Sequence, residues 1–191
     1  MRIIAGTLKG ASLISIRGDD VRPTLDRVRE SVFNILTPYL DDGSVFLDLF
    51  AGTGANGLEA LSRGALRSIF IDSAPKSLKM VRENAEKLGV AGDCTVLRGD
   101  VVEVIGSNSG RFGPVSIVYA DPPFDYEGYG GLLEVLDDSD VLAPDGLVLI
   151  EHSVRRELPK EQGGLCCYRT QQYGKTQVSF YRGTSSISEE S

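Results

Sequence analysis

The sequence predicts an α/β fold, built on a mostly parallel, doubly wound sheet that finishes in an antiparallel hairpin. From Ser44 onward, short apolar runs alternate with stretches in which apolar residues recur at three and four positions. The apolar runs are nearly continuous, as expected of parallel strands that helices cover on both faces. Close to the C-terminus, two runs of strand-forming residues flank Tyr173, Gly174 and Lys175, which predicts a hairpin turn.

Residues 1–40 form a predicted N-terminal extension, a small hairpin followed by a helix. Residues 2–6 and 11–16 are the expected hairpin strands. In the segment that follows, apolar side chains recur with helical spacing up to residue 40. We expect an amphipathic helix with Thr24 as its N-cap and an end near Thr37 and Pro38.

Residues 41–183 form the predicted main domain, in which strands and helices alternate. Strands are expected at residues 45–50, 68–72, 94–100, 115–121 and 146–152, and a closing hairpin at 166–182. Helices are expected at residues 57–64, 75–89, 101–106 and 127–138. The tail, residues 184–191, is polar and unpatterned, so it is predicted to be disordered.

Composition places the chain among ordinary globular proteins, with 41% hydrophobic and 25% charged residues. No apolar run approaches the ~18 residues of a membrane span, and no signal peptide is recognisable. The three cysteines lack the spacing of a disulfide framework or a CxxC pair, and a single histidine excludes a His-rich metal site. We expect a cytoplasmic protein with no membrane partner and no metal.

Charge is unevenly distributed along the chain. The net charge of −7 disfavours a polyanionic partner, but residues 1–31 carry six basic residues against four acidic ones. This basic segment is consistent with a local nucleic-acid contact on an acidic body. Charge alone leaves an ordinary solvated mixture equally open.

Polar residues and glycines follow the first three predicted strands. GTGANG at residues 52–57 follows a strand and opens a helix, the context of a nucleotide-binding loop; a ligand-free turn is the alternative. Asp72, 20 residues after Gly52, is placed to accept ribose hydroxyls, and Asp100 to accept from an adenine amine. Taken singly, each aspartate is better explained as a helix N-cap, a position that Asp favours. Together they indicate an adenosine pocket, of either a nicotinamide dehydrogenase or an S-adenosylmethionine (SAM) enzyme.

The end of the fourth strand favours a methyltransferase that acts on an exocyclic amine. The Asp121 carboxylate and the Pro122 carbonyl can accept both N–H bonds of such an amine and aim its lone pair. Pro123 keeps the loop rigid, and Phe124 offers a face on which an extruded base can stack. No matched general base is required, since the methylated amine becomes acidic, and His152 is interpreted as structural or solvated.

The motifs RIIAG, RPTLDRVRESVFNIL, DLFAGTGANGLEALSRGA and DPPF occur in this order between Arg2 and Arg182. Together they resemble those of RsmD, the bacterial 16S ribosomal RNA guanine-N2 methyltransferases. The resemblance implies a Rossmann-like SAM-dependent methyltransferase fold and transfer of a methyl group to the N2 amine of a guanine. It also implies that 16S rRNA is the substrate, within an assembled or assembling 30S subunit.

The resemblance further implies roles for individual residues. The SAM pocket would be lined by Asp48, Gly52, Gly54 and Asp72, with Asp100 and Val101 around adenine and Thr24 on a covering loop. The target guanine would be held by Asp121, Pro122 and Phe124 beside Pro123, and the RNA would be contacted by Arg22, Arg27 and Arg29.

Three other functions stay open at this point. DPPF also occurs in enzymes that methylate adenine N6 or cytosine N4 in DNA, although no segment here is long enough for a separate DNA-recognition domain. A non-catalytic RNA-binding assembly factor of the same fold would not need both the glycine loop and Asp121. A nicotinamide dehydrogenase has no use for DPPF.

Overall fold

The computed structural model describes residues 1–15 and 23–184, with residues 23–26 described by their backbone. Arg22 and the predicted tail from residue 185 lie outside the described residues. So does the side chain of Thr24.

One sheet runs through the described part of the chain. Its strands are β1 (Val45–Leu49), β2 (Arg67–Asp72), β3 (Cys94–Arg98), β4 (Val115–Ala120), β5 (Leu142–Ser153), β6 (Glu161–Gln162), β7 (Leu165–Tyr173) and β8 (Thr176–Gly183). Their spatial order is β3-β2-β1-β4-β5-β8-β7-β6. Strands β1 to β5 pair in parallel, and β8 pairs antiparallel with both β5 and β7. The predicted doubly wound sheet with a closing antiparallel hairpin is therefore confirmed.

Helices cover both faces of this sheet. They are α1 (Pro23–Leu36), α2 (Ala55–Ser62), α3 (Pro75–Leu88), α4 (Val101–Phe112) and α5 (Tyr129–Asp138). Neighbouring strand residues face opposite sides: Phe46 packs in a cluster with side chains of α1, whereas Leu47 packs with those of α4 and α5. Among the described residues, no helix combines the length and apolar character of a membrane span.

Among the helix boundaries that differ from the predicted ones, two have a clear physical cause. Helix α1 already includes Pro23, so Thr24 lies inside the first turn and is not the N-cap. Proline suits the first helical position because its φ is preset and an N–H there has no partner within the helix. Helix α4 continues past Gly106 to Phe112, whose side chain is buried in the core. That burial outweighs the low helix propensity of the two glycines in α4, Gly106 and Gly110.

The N-terminal segment, residues 1–15, folds back on itself as a minimal hairpin. Arg2 pairs with Ser12 as an isolated antiparallel bridge, and the Ile3 N–H donates to the Ala11 carbonyl at 2.9 Å. The predicted hairpin is present, but without extended strands. Ile3 and Leu13 are buried in the same cluster as Leu58 and Val81, which attaches the segment to α2 and α3.

A buried glutamate fixes the N-terminal segment to α2. Glu59 is fully buried and accepts hydrogen bonds from the backbone N–H groups of Ile4 at 2.7 Å and Ala5 at 3.0 Å. Its charge is balanced by Arg63, whose Nε donates to Glu59 Oε1 at 2.8 Å. Because paired backbone donors and a charged partner surround it, this carboxylate is satisfied despite its burial.

A buried amide links the end of the N-terminal segment to the glycine loop. Asn84 on α3 accepts from the Ile14 N–H at 2.7 Å and donates to the Ile14 carbonyl at 3.1 Å. The same side chain donates to the carbonyl of Thr53 at 2.9 Å. One side chain therefore holds the segment and the loop in a fixed relation.

Candidate active site

A cavity of about 550 Å³ opens at the carboxyl ends of the parallel strands. Its lining includes the loop after β1, the turn after β2, the first residues after β4, and Glu151 on β5. Strands β1 and β4 are neighbours in the sheet, although β2 and β3 lie between them in sequence. This is the topological switch point, where doubly wound sheets bind their ligands.

The glycine loop after β1 has a left-handed backbone at several positions. Gly52 has φ +54° and Gly54 has φ +78°, and a Cβ on Gly54 would lie 3.2 Å from Val81 and 3.3 Å from Phe70. Phe50, at φ 58°, adopts the same region although it carries a side chain. Such a conformation costs free energy in a non-glycine residue and concentrates at functional sites. Phe50 lines the cavity, although it was not among the predicted site residues.

Asp72 holds the glycine loop from the side. Its Oδ2 accepts from the Gly52 N–H at 2.9 Å and its Oδ1 from the Ala74 N–H at 2.8 Å. Asp72, Gly52 and Ala74 all line the cavity. The carboxylate is therefore oriented by two backbone donors at the place expected for a ribose contact.

Asp48 lies beneath the glycine loop and not on the cavity surface. Its side chain is buried, and Oδ2 accepts from the Gly57 N–H at 2.9 Å. The other oxygen, Oδ1, has no hydrogen-bond partner among the described residues. Burial raises the pKa of Asp48 well above its ordinary value, and the hydrogen bond from Gly57 partly offsets this rise. Asp48 thus supports the loop from below.

The residues predicted to surround adenine occupy the start of α4. Asp100 caps this helix, since its Oδ1 accepts from the N–H groups of Val102 at 2.9 Å and Glu103 at 3.3 Å. Val101 is buried in the core. Neither residue is part of the cavity lining described above, so the N-cap role of Asp100 is observed and its contact with adenine stays a prediction.

The DPPF residues follow β4 directly at the switch point. The Asp121 N–H donates to the Leu49 carbonyl at 3.4 Å, which places Asp121 next to the start of the glycine loop. Asp121, Pro122 and Pro123 line the cavity, whereas the Phe124 ring is 81% exposed. The Asp121 carboxyl is accessible from the cavity, but the surrounding protein limits its hydration and raises its pKa to about 6.

Glu151 lines the cavity, although it was not among the predicted site residues. Ala120, the last residue of β4, pairs with Ile150 on β5, so Asp121, which directly follows β4, lies next to Glu151. The hydroxyl of Tyr119 donates a hydrogen bond to Glu151 Oε1. Burial, together with the negative charge of Asp121, raises the pKa of Glu151 to about 8. The sequence does place Glu151, a charged residue, at the end of an apolar strand, which is a position where site residues occur. The neighbouring His152 was considered there instead.

The prediction that Arg29 is available to RNA phosphates is corrected by its burial. Only 5% of Arg29 is exposed, and its Nη2 donates to the Arg2 carbonyl at 2.6 Å. Arg29 lines the cavity, and its positive charge partly offsets the rise that burial causes in the pKa values of Asp48 and Glu151. The helical spacing of α1 turns Arg29 inward, whereas Arg27 is exposed.

His152 has a structural environment. It is buried, its Nε2 lies 2.8 Å from Ser179 Oγ, and burial lowers its pKa. The cysteines Cys94, Cys166 and Cys167 are free and half-buried. Within residues 1–15 and 23–184, no cluster of histidine, cysteine and acidic side chains could hold a metal ion.

Solved structures share this architecture. The Escherichia coli protein yhhF matches with a TM-score of 0.80 and 32% identity over 96% of this chain and 97% of that chain. SMU.776, solved in complex with S-adenosylhomocysteine (SAH), matches with a TM-score of 0.64 over 80% of this chain and 48% of that chain. At 16% identity, the second match shows the fold alone. The fold is the Rossmann-like fold of SAM-dependent methyltransferases.

The family follows from matches over nearly the whole chain. The family model described as Conserved hypothetical protein 95 matches residues 1–182. YlbH of Bacillus subtilis is 38% identical over 95% of this chain and 98% of its own length. Ribosomal RNA small subunit methyltransferase D of Escherichia coli K12 is 34% identical over 95% of this chain and 89% of its own length. The chain belongs to this family, the RsmD family.

Proposed function

We propose that the protein transfers a methyl group from SAM to the exocyclic N2 amine of a guanine in 16S rRNA. The observation that carries the proposal is the position of Asp121 and Pro122 at the end of β4, in the same cavity as the glycine loop. The names of the relatives, which include ribosomal RNA small subunit methyltransferase D, support rRNA as the substrate.

The residues of the cavity fit SAM. Its volume of about 550 Å³ lies within the roughly 300–1,000 Å³ of small-molecule sites. The backbone of Gly52 allows close approach of a ligand, and Asp72 is placed for the ribose. Three acidic side chains, Asp72, Asp121 and Glu151, line the cavity and offer carboxyl oxygens to a positively charged group of a ligand. When bound, SAM supplies an electrophilic methyl group on positively charged sulfur.

The DPPF residues then hold the target amine. With a pKa of about 6, Asp121 is mainly ionised at neutral pH and can accept one N–H of the amine. The Pro122 carbonyl accepts the other, which aims the nitrogen lone pair into the cavity and favours a pyramidal nitrogen in the transition state. The exposed ring of Phe124 is available to stack on an extruded base, a contact worth about 1–3 kcal/mol.

The RNA is expected to approach over the N-terminal part of the protein. Arg27 on α1 is exposed, and we infer that it contacts RNA phosphates. The chain as a whole carries a charge of −7, which disfavours tight binding of naked RNA. We therefore infer that the substrate is rRNA within an assembled or assembling 30S particle, where further contacts add affinity.

Ligand binding and product analysis test the function. SAM at 100 times its dissociation constant should stabilise the protein by about 2.7 kcal/mol, while NAD should not. Incubation with radiolabelled SAM should label 30S particles or rRNA as N2-methylguanosine, identified by mass spectrometry of the nucleosides. Label in DNA as methylated adenine or cytosine would overturn the proposal, as would stabilisation by NAD without SAM.

Replacing Arg27 by alanine should weaken RNA binding and reduce its dependence on salt. Each lost phosphate contact removes about 0.7–0.9 from the slope of log K against log salt concentration. SAM affinity should not change. The control is Arg111→Ala. Arg111 is exposed and lies in the last turn of α4, on the side of the sheet away from the carboxyl ends of the strands. Equal slopes for both variants and wild type would place the RNA surface elsewhere.

A further inference from the structure

The cavity contains two neighbouring carboxyl groups, although the proposed reaction needs only one to hold the amine. Asp121 and Glu151 follow the paired residues Ala120 and Ile150 on adjacent parallel strands, and both line the cavity. Like charges this close do not both ionise readily in a poorly hydrated site, so one of them retains a proton. With pKa values of about 6 and about 8, the pair holds about one proton near pH 7.

The other charged and titratable groups around the pair come from the elements packed against it. They are Arg29 on α1, Asp48 on β1, Tyr119 on β4 and Tyr129 on α5. Arg29 is the cation among these groups, and it lowers the pKa of Glu151 without overcoming the effect of burial. A second positive charge in the cavity would therefore change the protonation of the pair.

We propose that Asp121 and Glu151 act as a carboxyl pair that releases a proton when SAM binds and takes one back from the target amine during transfer. This inference rests on the proposed function. If Asp121 holds the amine that receives the methyl group, the positive sulfur must lie within a few ångströms of the pair. A positive charge at that distance favours the ionised form of both carboxyls.

The pair of carboxyl groups accounts for the proton that the reaction releases. The nitrogen lone pair forms the new N–C bond, and the electrons of the broken C–S bond remain on sulfur. The nitrogen then carries one proton in excess, which passes to the Asp121 carboxylate. The pair thus regains its proton when the positive charge on sulfur disappears, so the neutral product SAH does not face two ionised carboxylates.

The inference is tested by calorimetry on the protein without RNA. Titration at pH 7 in buffers of different ionisation enthalpy should show release of about one proton per SAM bound, and much less per SAH. SAM and SAH share their amino and carboxylate groups, so the difference reports the charge on sulfur. At pH 9 the difference should disappear, because the pair is then already ionised.

Variants assign this proton to the pair. Glu151→Gln should lose most of the release at pH 7, since the amide still accepts from Tyr119 but does not titrate. Glu134→Gln, the same change on the exposed surface of α5, should match wild type. Equal release with SAM and SAH, or unchanged release in Glu151→Gln, would overturn the inference alone. Failure of SAM to bind would overturn the proposed function and this inference with it.

Discussion

Asp121→Ala is expected to slow methyl transfer about 10²–10³-fold, the typical effect of removing one preorganised polar contact to a transition state. Asp121 lies at the end of β4 within the cavity, where its carboxylate can accept from the target amine. The loss should affect the turnover number more than RNA affinity, because the contact is strongest in the transition state. SAM should still bind, since the variant leaves the glycine loop and Asp72 in place. Single-turnover transfer on 30S particles, with SAM affinity from calorimetry, measures both quantities.

Two further variants test whether Asp121 orients the target amine or only stabilises the loop that follows β4. Asp121→Asn retains one oxygen acceptor and should be less impaired than the alanine variant. Asp125→Ala, an exposed aspartate in the same loop, should transfer at the wild-type rate. The proposed role of Asp121 fails if its alanine variant folds, binds SAM and turns over normally.

Glu59→Ala should lower the free energy of unfolding by about 3–5 kcal/mol, the range found when one partner of a buried ion pair is removed. The variant leaves the guanidinium of Arg63 without its carboxylate, and it removes the acceptor of the N–H groups of Ile4 and Ala5. The N-terminal segment should therefore detach from α2 more readily. Urea denaturation measures the loss of stability, and hydrogen exchange at Ile4 and Ala5 reports the detachment.

The control for this prediction is Glu86→Ala, an exposed glutamate on α3. A surface change of this kind should alter stability by no more than about 0.5 kcal/mol. If Glu59→Ala and Glu86→Ala were equally stable, Glu59 would not be what attaches the N-terminal segment.

Sequence reasoning predicted the sheet and the loops at its carboxyl edge because both depend on local patterns. Continuous apolar runs identify strands with two covered faces, and parallel strands bring their ends together at one edge. Gly52 and Asp121 could therefore be placed in one site before any contact was known. The burial of Asp48 beneath the glycine loop could not be predicted, because the pattern gives its strand but not the depth of its side chain.

The residues that were missed or misplaced depend on packing between distant parts of the chain. Arg29 lies on a helix whose buried face is set by its contact with the sheet, so the charge pattern of α1 suggested an exposed arginine. Glu151 gains its role from the pairing of β4 with β5 and from the hydroxyl of Tyr119. Phe50 gains its role from a backbone conformation that the sequence does not favour.

The way in which the N-terminal segment is attached has a consequence for the order of folding. Ile4 bonds to Glu59, 55 residues further along the chain, and Ile14 to Asn84, 70 residues further. During synthesis the segment leaves the ribosome before either partner exists, and long-range contacts of this kind form slowly. Met1 lines the cavity, so its wall is completed only after α2 and α3 have packed on the sheet. A nascent chain therefore completes this cavity late in folding, although the N-terminal segment that contributes to its wall precedes α2 and α3 in the sequence.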